Sequence, residues 1–182
     1  KRTFNRLVDD KKERIMRAAI GEFQACGFES AKIEEIAQNA GVAKGSIYQY
    51  FDDKKELFLY SVTWGLEYFM RAIDRQTPLK DMDVFDYFLS GSRERFELLK
   101  QEPLLVAFSM DIFMGRFGSL ALEANSELYR IGDEYELRLI GKGKRKGTIR
   151  DDLDDKTLLL FFQGVTEKFN VEIMEMDKSF DY

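Results

Sequence analysis

Apolar residues in this chain recur every three or four positions, and no window alternates apolar and polar residues for long enough to make a strand. The pattern predicts an all-α protein. A first helix is expected from about Asp9 to Cys26, where Ile15, Ala18, Ala19, Glu22 and Phe23 make one largely apolar face and Gly27 supplies the stop. A second runs from about Ile33 to Asn39, ended by Gly41, and a third, short one follows within "GVAKGSIYQYF". A fourth starts near Lys54 and carries Leu57, Phe58, Ser61, Trp64 and Tyr68 to about Arg75, before Pro78 breaks the chain. Further helices are expected at about 83–100, 103–115, 119–142 and 155–176.

Two short helices meeting at a glycine, in "IEEIAQNAGVAKGSIYQYF", make a helix-turn-helix signature, because glycine adopts the left-handed turn most cheaply. Ile33, Ile36, Ala37, Val42, Ile47 and Phe51 form its expected core, with Ala37 small enough for close helix approach. Lys44, Gly45, Ser46, Tyr48, Gln49 and Tyr50 are not needed for that core. The first turn of a helix presents unpaired N–H groups and a positive dipole end to phosphate, Gly45 lets backbone approach, and Lys44 adds charge. Ser46 and Gln49 can reach base edges, and a tyrosine offers its hydroxyl to phosphate and its ring to a thymine methyl. The plainer reading is a solvated helix face with half-buried tyrosines.

Charge changes this picture. The 182 residues carry a net charge of -5, but residues 1–55 hold 11 Lys and Arg against 9 Asp and Glu, whereas the rest hold 17 against 24. A mildly basic front on an acidic body is the asymmetry expected when only the front meets phosphate. There is no histidine, and the lone Cys26 has no internal disulfide partner, so a reducing, cytoplasmic compartment is expected. The apolar runs "PLLVAFSM" and "LLLFF" are too short to span a bilayer, so no membrane partner is expected.

From residue 9 to about residue 60, "AAIGEFQACGFESAKIEEIAQNAGVAKGSIYQYFDDKKELF" included, the chain resembles the DNA-binding domain of the TetR family of one-component transcriptional regulators. The resemblance implies that Ala43, Lys44, Gly45, Ser46, Tyr48, Gln49 and Tyr50 face the major groove and that Lys54 meets a phosphate. Where the family often has threonine or serine to cap helix two, this chain has Ala31 and Lys32; Lys32 is the substitute phosphate contact, beside a weaker cap. Gln49 stands where the family often has histidine, so the resemblance does not carry over a base preference. Implied further are a DNA-binding domain over 1–55, a ligand-binding and dimerisation domain over 56–182, a homodimer and a near-palindromic double-stranded operator. The implied activity is repression relieved by a small apolar effector, which moves helix four. The family pattern has one more helix after the present end.

Beyond residue 60 the resemblance is architectural. An effector cavity walled by helices four to eight would draw on Trp64, Tyr68, Phe85, Phe88, Phe108, Met110, Phe113, Met114, Phe162 and Phe169, each of which is also ordinary core material. Asp111 sits in an apolar helix and wants a partner: an effector's positive charge, an arginine such as Arg93 or Arg95, or solvent. Leu158, Phe161, Gly164, Val165, Phe169 and Ile173 form one stripe suited to a dimer interface. "GKGKRKGT" lacks the spacing of a phosphate loop and reads as a basic helix C-terminus ended by Gly147. No catalytic group, metal ligand or cofactor is expected, since no pair of reactive side chains is placed by a recognisable motif. An enzyme is therefore the weaker rival; a helical protein-interaction module that kept the fold stays open.

Overall fold

The structure is a computed structural model that describes residues 2–76 and 100–178. All regular structure among them is helical: α1 (Arg2–Asn5), α2 (Asp9–Ser30), α3 (Ile33–Ala40), α4 (Lys44–Tyr50), α5 (Lys54–Gln76), α6 (Pro103–Phe113), α7 (Ser119–Lys146) and α8 (Asp155–Lys178). The expected helix over 83–100 lies outside the described residues, as do Arg93 and Arg95. The described residues fall into two compact units, residues 2–76 with 100–130, and residues 131–178.

In the first unit, α2 lays Ile15, Met16, Ala19, Ile20 and Phe23 against Ile33, Ile36, Ala37 and Ala40 of α3. Its helical path breaks at Gly27 (φ 74°), where the sequence places the stop. Gly41 turns the chain in the left-handed conformation (φ 66°, ψ 39°) while its N–H donates to the Gln38 carbonyl at 3.0 Å and that of Val42 to Ala37 at 2.9 Å. Arg14 reaches over from α2 and donates through Nη1 to the Ala40 carbonyl at 3.1 Å, closing the end of α3. The expected weakness at the start of α3 is real, in that Lys32 offers no side-chain cap, but Glu22 accepts the Lys32 N–H at 2.9 Å.

Helix α5 begins with a reciprocal cap: the Glu56 N–H donates to Asp53 Oδ1 and the Asp52 N–H to Glu56 Oε2, both at 2.7 Å. Its Leu57 and Phe58 are completely buried. Phe58 meets Phe23 and Phe28 on one side (5.1 and 5.6 Å between centroids) and Phe108 and Phe117 on the other (5.7 and 4.9 Å). The core of the helix-turn-helix therefore runs without a break into α6 and the segment before α7. Pro103 starts α6, where its missing N–H costs nothing.

The second unit packs Tyr135, Leu139 and Ile140 of α7, Ile149 of the turn, and Leu158, Leu159 and Phe162 of α8. Lysine and arginine end α7, Gly147 follows at φ 74°, and Lys144 pairs with Asp155 at 2.6 Å, so the basic run is a helix terminus. Asp154 caps α8 by accepting the Thr157 N–H at 2.9 Å. One dimer-stripe residue is corrected by this packing: Leu158 is buried within its own unit, while Leu160, which the spacing did not select, stands 62% exposed beside Phe161 at 63% and Val165 at 45%. The reason is phase, since 158, 159 and 162 share the inward arc and 160, 161, 164 and 165 the outward one. The side chains of Phe169 and Ile173 lie outside the described residues.

The turn at Gly41 gives a direct stability test. Gly41→Ala is expected to cost about 1–2 kcal/mol, the penalty of a left-handed residue with a Cβ, and that Cβ would also meet Arg14 Nη1 at 3.3 Å. Urea denaturation should show a lower midpoint at unchanged slope; an unchanged midpoint would mean that the turn is not under this constraint.

Candidate nucleic-acid interface

Helix α4 stands on the Gly41 turn with Ile47 and Tyr50 facing inward. Its outward arc carries Ala43, Lys44, Gly45, Tyr48 and Gln49, all exposed, with Ser46 half-buried at the edge. Lys32, at the start of α3, is exposed as well. The structure thus gathers most of the predicted DNA-facing residues on the solvent side of one short helix and the start of its neighbour.

Two of the predicted contacts have other tasks. Tyr50 is only 7% exposed, with its ring 5.5 Å from Phe4 and 5.9 Å from the Lys11 ammonium. Three residues from Ile47 it shares that residue's inward face, so it cannot look outward with Tyr48. Lys54 is committed to the end of α2, where its ammonium donates to the carbonyls of Glu29 at 2.9 Å and Ala31 at 3.1 Å, over the Phe28 ring at 4.8 Å. A cation at a helix C-terminus is well placed there, and it fixes the turn into α3.

Lys44 is paired with Glu34 across the turn, and its ammonium lies 5.8 Å from the Tyr48 ring. The hydrogen bond raises the Lys44 pKa and lowers that of Glu34. Sequence reading missed Phe4, which is fully buried against Tyr50, Phe51 (4.9 Å) and Tyr60 (5.2 Å), while Asn5 accepts the Tyr60 hydroxyl at 2.7 Å. Its only signal is one aromatic residue in a polar run.

The expected effector residues are dispersed. Trp64 is buried and lies 5.4 Å from Tyr68. Tyr68 is engaged below the Arg17 guanidinium (5.1 Å) and donates to Glu102 Oε1 at 2.6 Å. Phe108 belongs to the shared aromatic core rather than to a cavity wall. Asp111 pairs with Arg116 at 2.5 Å, because the turn after α6 brings that arginine back. Met110 is half-buried, whereas Phe113 and Met114 are exposed. Phe162 is buried in the second unit; Phe85, Phe88 and the Phe169 side chain lie outside the described residues. A cleft of about 740 Å³ does open in the first unit, between the start of α5 (Lys55, Leu59, Thr63) and α7 (Glu123, Ser126), but none of these predicted residues lines it. Lys55 and Glu123 pair within its lining at 2.8 Å.

Arg17, Glu102 and Tyr68 form the most developed polar cluster of the first unit. Arg17 grips Glu102 with both terminal nitrogens (2.7 and 2.8 Å) and donates its Nε to Glu13 at 2.7 Å. This ties α2 to the start of α6 and, through Tyr68, to α5. Hydrogen bonding by Arg17 holds the Glu102 carboxyl below its ordinary value, against the opposing effect of burial, and Glu102 in turn raises the Tyr68 hydroxyl.

Known proteins share both the front of this chain and its fold. Residues 15–60 match the family described as bacterial regulatory proteins, tetR family. Over those residues the chain is similar to that family. The uncharacterized HTH-type transcriptional regulator YfiR of Bacillus subtilis (strain 168) is 28% identical over 164 residues, 87% of this chain and 78% of that protein. YdgC, another such regulator of the same organism, is 37% identical over 54 residues, which span 30% of this chain but only 28% of YdgC. Among solved structures, the transcriptional regulator FadR from Bacillus subtilis in complex with stearoyl-CoA shares the fold at TM-score 0.61 and 20% identity, over 93% of this chain and 90% of that one. All three of these proteins are described as transcriptional regulators. Among the described residues, no helix is long and apolar enough to cross a membrane, and no group of three or more His, Cys, Asp or Glu is placed to hold a metal.

The Arg17–Glu102 clamp predicts a specific acid response. Since the folded Glu102 pKa is depressed, its stabilisation is fully present above the ordinary value of about 4.5 and is lost as pH falls through the lowered folded value. Glu102→Gln should cost about 1.5–3 kcal/mol near pH 7, the range for hydrogen bonds to charged groups. Urea midpoints of the two proteins should converge in acid; a gap that stays constant down to the acid transition would contradict the assignment.

Proposed function

We propose that this protein is a dimeric transcriptional repressor that reads a near-palindromic operator with α4 of each subunit and releases it when a small apolar effector binds. The observation that carries the reading is the exposed arc Ala43, Lys44, Gly45, Tyr48 and Gln49, standing on a helix whose other face is locked into the core. Its size and chemistry suit a major groove, which admits one helix and is read by amide, hydroxyl and methyl contacts. Residues 1–55 are the DNA-reading part, residues 56–182 the effector and dimer part, and the protein works in the cytoplasm without catalysing a reaction. The stearoyl-CoA bound by FadR makes a long acyl chain the first effector class to test.

Release needs an effector that favours one arrangement of the reading head over another, and such couplings are typically about 1–3 kcal/mol. Helix α5 carries the link: Leu57 and Phe58 sit in the core of the reading head, and Trp64 and Tyr68 follow on the same helix. Tyr68 also joins Arg17 of α2 through Glu102, a second route by which movement near α5 and α6 reaches the reading head. By reciprocity, operator DNA must weaken effector binding by the same factor.

Selection of duplexes from a random pool by the purified protein tests the reading. The selected duplex should bind more tightly than random DNA, and Tyr48→Ala should cost it about 1–3 kcal/mol. Gly45→Ala, whose Cβ meets nothing within 4 Å, should leave the fold intact or stabilise it while weakening the selected duplex. Selected and random duplexes bound alike would overturn the proposal.

The dimer is proposed to form through the outward arc of α8, where Leu160, Phe161, Gly164 and Val165 are exposed. Phe161→Glu should shift the sedimentation mass from dimer to monomer; an unchanged dimer places the interface elsewhere.

A further inference from the structure

We propose that Glu34 is a specificity-determining residue of the reading surface, holding Lys44 back from the phosphates of random DNA and yielding it at the operator. The inference rests on the DNA-reading role of α4. Glu34 lies in the first turn of α3 and Lys44 in the first turn of α4, and their side chains meet across the Gly41 turn while both stay about half exposed, at 58% and 48%. The Lys44 ammonium is also within 5.8 Å of the exposed Tyr48 ring. A cation of the reading surface is thus matched by a carboxylate of the same surface.

The neighbourhood supports this. Lys32, Lys44, Lys54 and Lys55 are offset by Glu34, Glu35, Asp52 and Asp53, so residues 32–55 carry no net charge. Lys54 is bound to backbone carbonyls and Lys55 to Glu123. Affinity for arbitrary DNA comes almost wholly from cations that displace counterions from phosphate. While Lys44 stays on Glu34 it displaces none, and the carboxylate repels the backbone. At the operator, contacts from Tyr48 and Gln49 to bases bring the start of α4 against the duplex, and a phosphate or guanine then replaces Glu34 as the partner of Lys44. An exposed pair is weak enough for that exchange.

The test measures salt dependence of binding for two duplexes, one random and one selected from a random pool by this protein. Glu34→Gln should steepen the slope of log affinity against log salt by about one unit on the random duplex, where Lys44 is newly free. On the selected duplex, where Lys44 already sits on DNA, the slope should stay as it was. Random-duplex affinity should rise up to about fivefold, the span of an exposed ion pair, and the ratio of selected to random affinity should fall. Glu35→Gln makes the same change of net charge one residue away and should have a smaller effect on the random duplex. Adding Lys44→Gln to Glu34→Gln should abolish the gain. Equal slope changes on both duplexes, no change on either, an equal effect of Glu35→Gln, or a gain that survives Lys44→Gln would each overturn the proposal while leaving the regulator reading intact. A wild-type protein that prefers no duplex overturns both.

Discussion

Phe58 is the point on which the first unit depends. It is fully buried, and its ring is in contact with two aromatic rings of α2, one of α6 and one of the segment before α7. Aromatic pairs at these separations favour tilted or edge-on geometry, which is directional and cannot slide without loss. The helix-turn-helix consequently has no separate core: Phe23 and Phe28 of α2 are packed on the same ring as Phe108 of α6, in one cluster with Ile47 of α4. A close-packed interior of this kind responds to displacement by switching between packings rather than by yielding smoothly.

The polar cluster of Arg17, Glu102 and Tyr68 is a second tie between the same elements, different in character. Phe58 couples them through shape, whereas Arg17 couples them through a two-pronged hydrogen bond whose geometry admits little rotation. Breaking it would leave two partly buried charges without their partner, so α2 and α6 are expected to move together. Tyr68 brings α5 into the same arrangement. Under the proposed function, the connection between an effector and the reading head would run through three helices that share one apolar and one polar junction, rather than through the continuity of α5 alone.

What the sequence made legible is short-ranged. The α3–turn–α4 motif followed from apolar spacing and Gly41, and the break at Gly27 from a glycine after an amphipathic run. The inward position of Tyr50 was also present in the sequence, three residues from Ile47, but the proximity of Tyr48 masked it. Lys54 could not be read, because its partners lie 23 and 25 residues earlier and only the folded path of α2 brings them close. The same holds for Arg17 and Glu102, 85 residues apart, and for Phe4, whose burial is decided by α4 and α5 rather than by its own neighbours. For Asp111 an arginine partner was among the expected outcomes, but Arg116 itself was not named: helical spacing ignores a partner beyond the helix end, and Arg116 reaches it across the turn.

Under the proposed function, charge economy connects the reading head to its release. A coupling of about 1–3 kcal/mol changes affinity by roughly 5- to 150-fold, which is small beside the range available to a strongly basic DNA-binding surface. Were α3 and α4 densely cationic, a protein released from its operator would be retained by neighbouring DNA and would return readily. With residues 32–55 balanced in charge and the body of the chain acidic, affinity has to come mainly from contacts that only the correct duplex offers. Those contacts depend on the exact placement of α4, and α4 is placed by Gly41, Ile47 and the core around Phe58. In that reading a small displacement of the core would remove a large share of the binding, and a modest effector energy would be enough to do it.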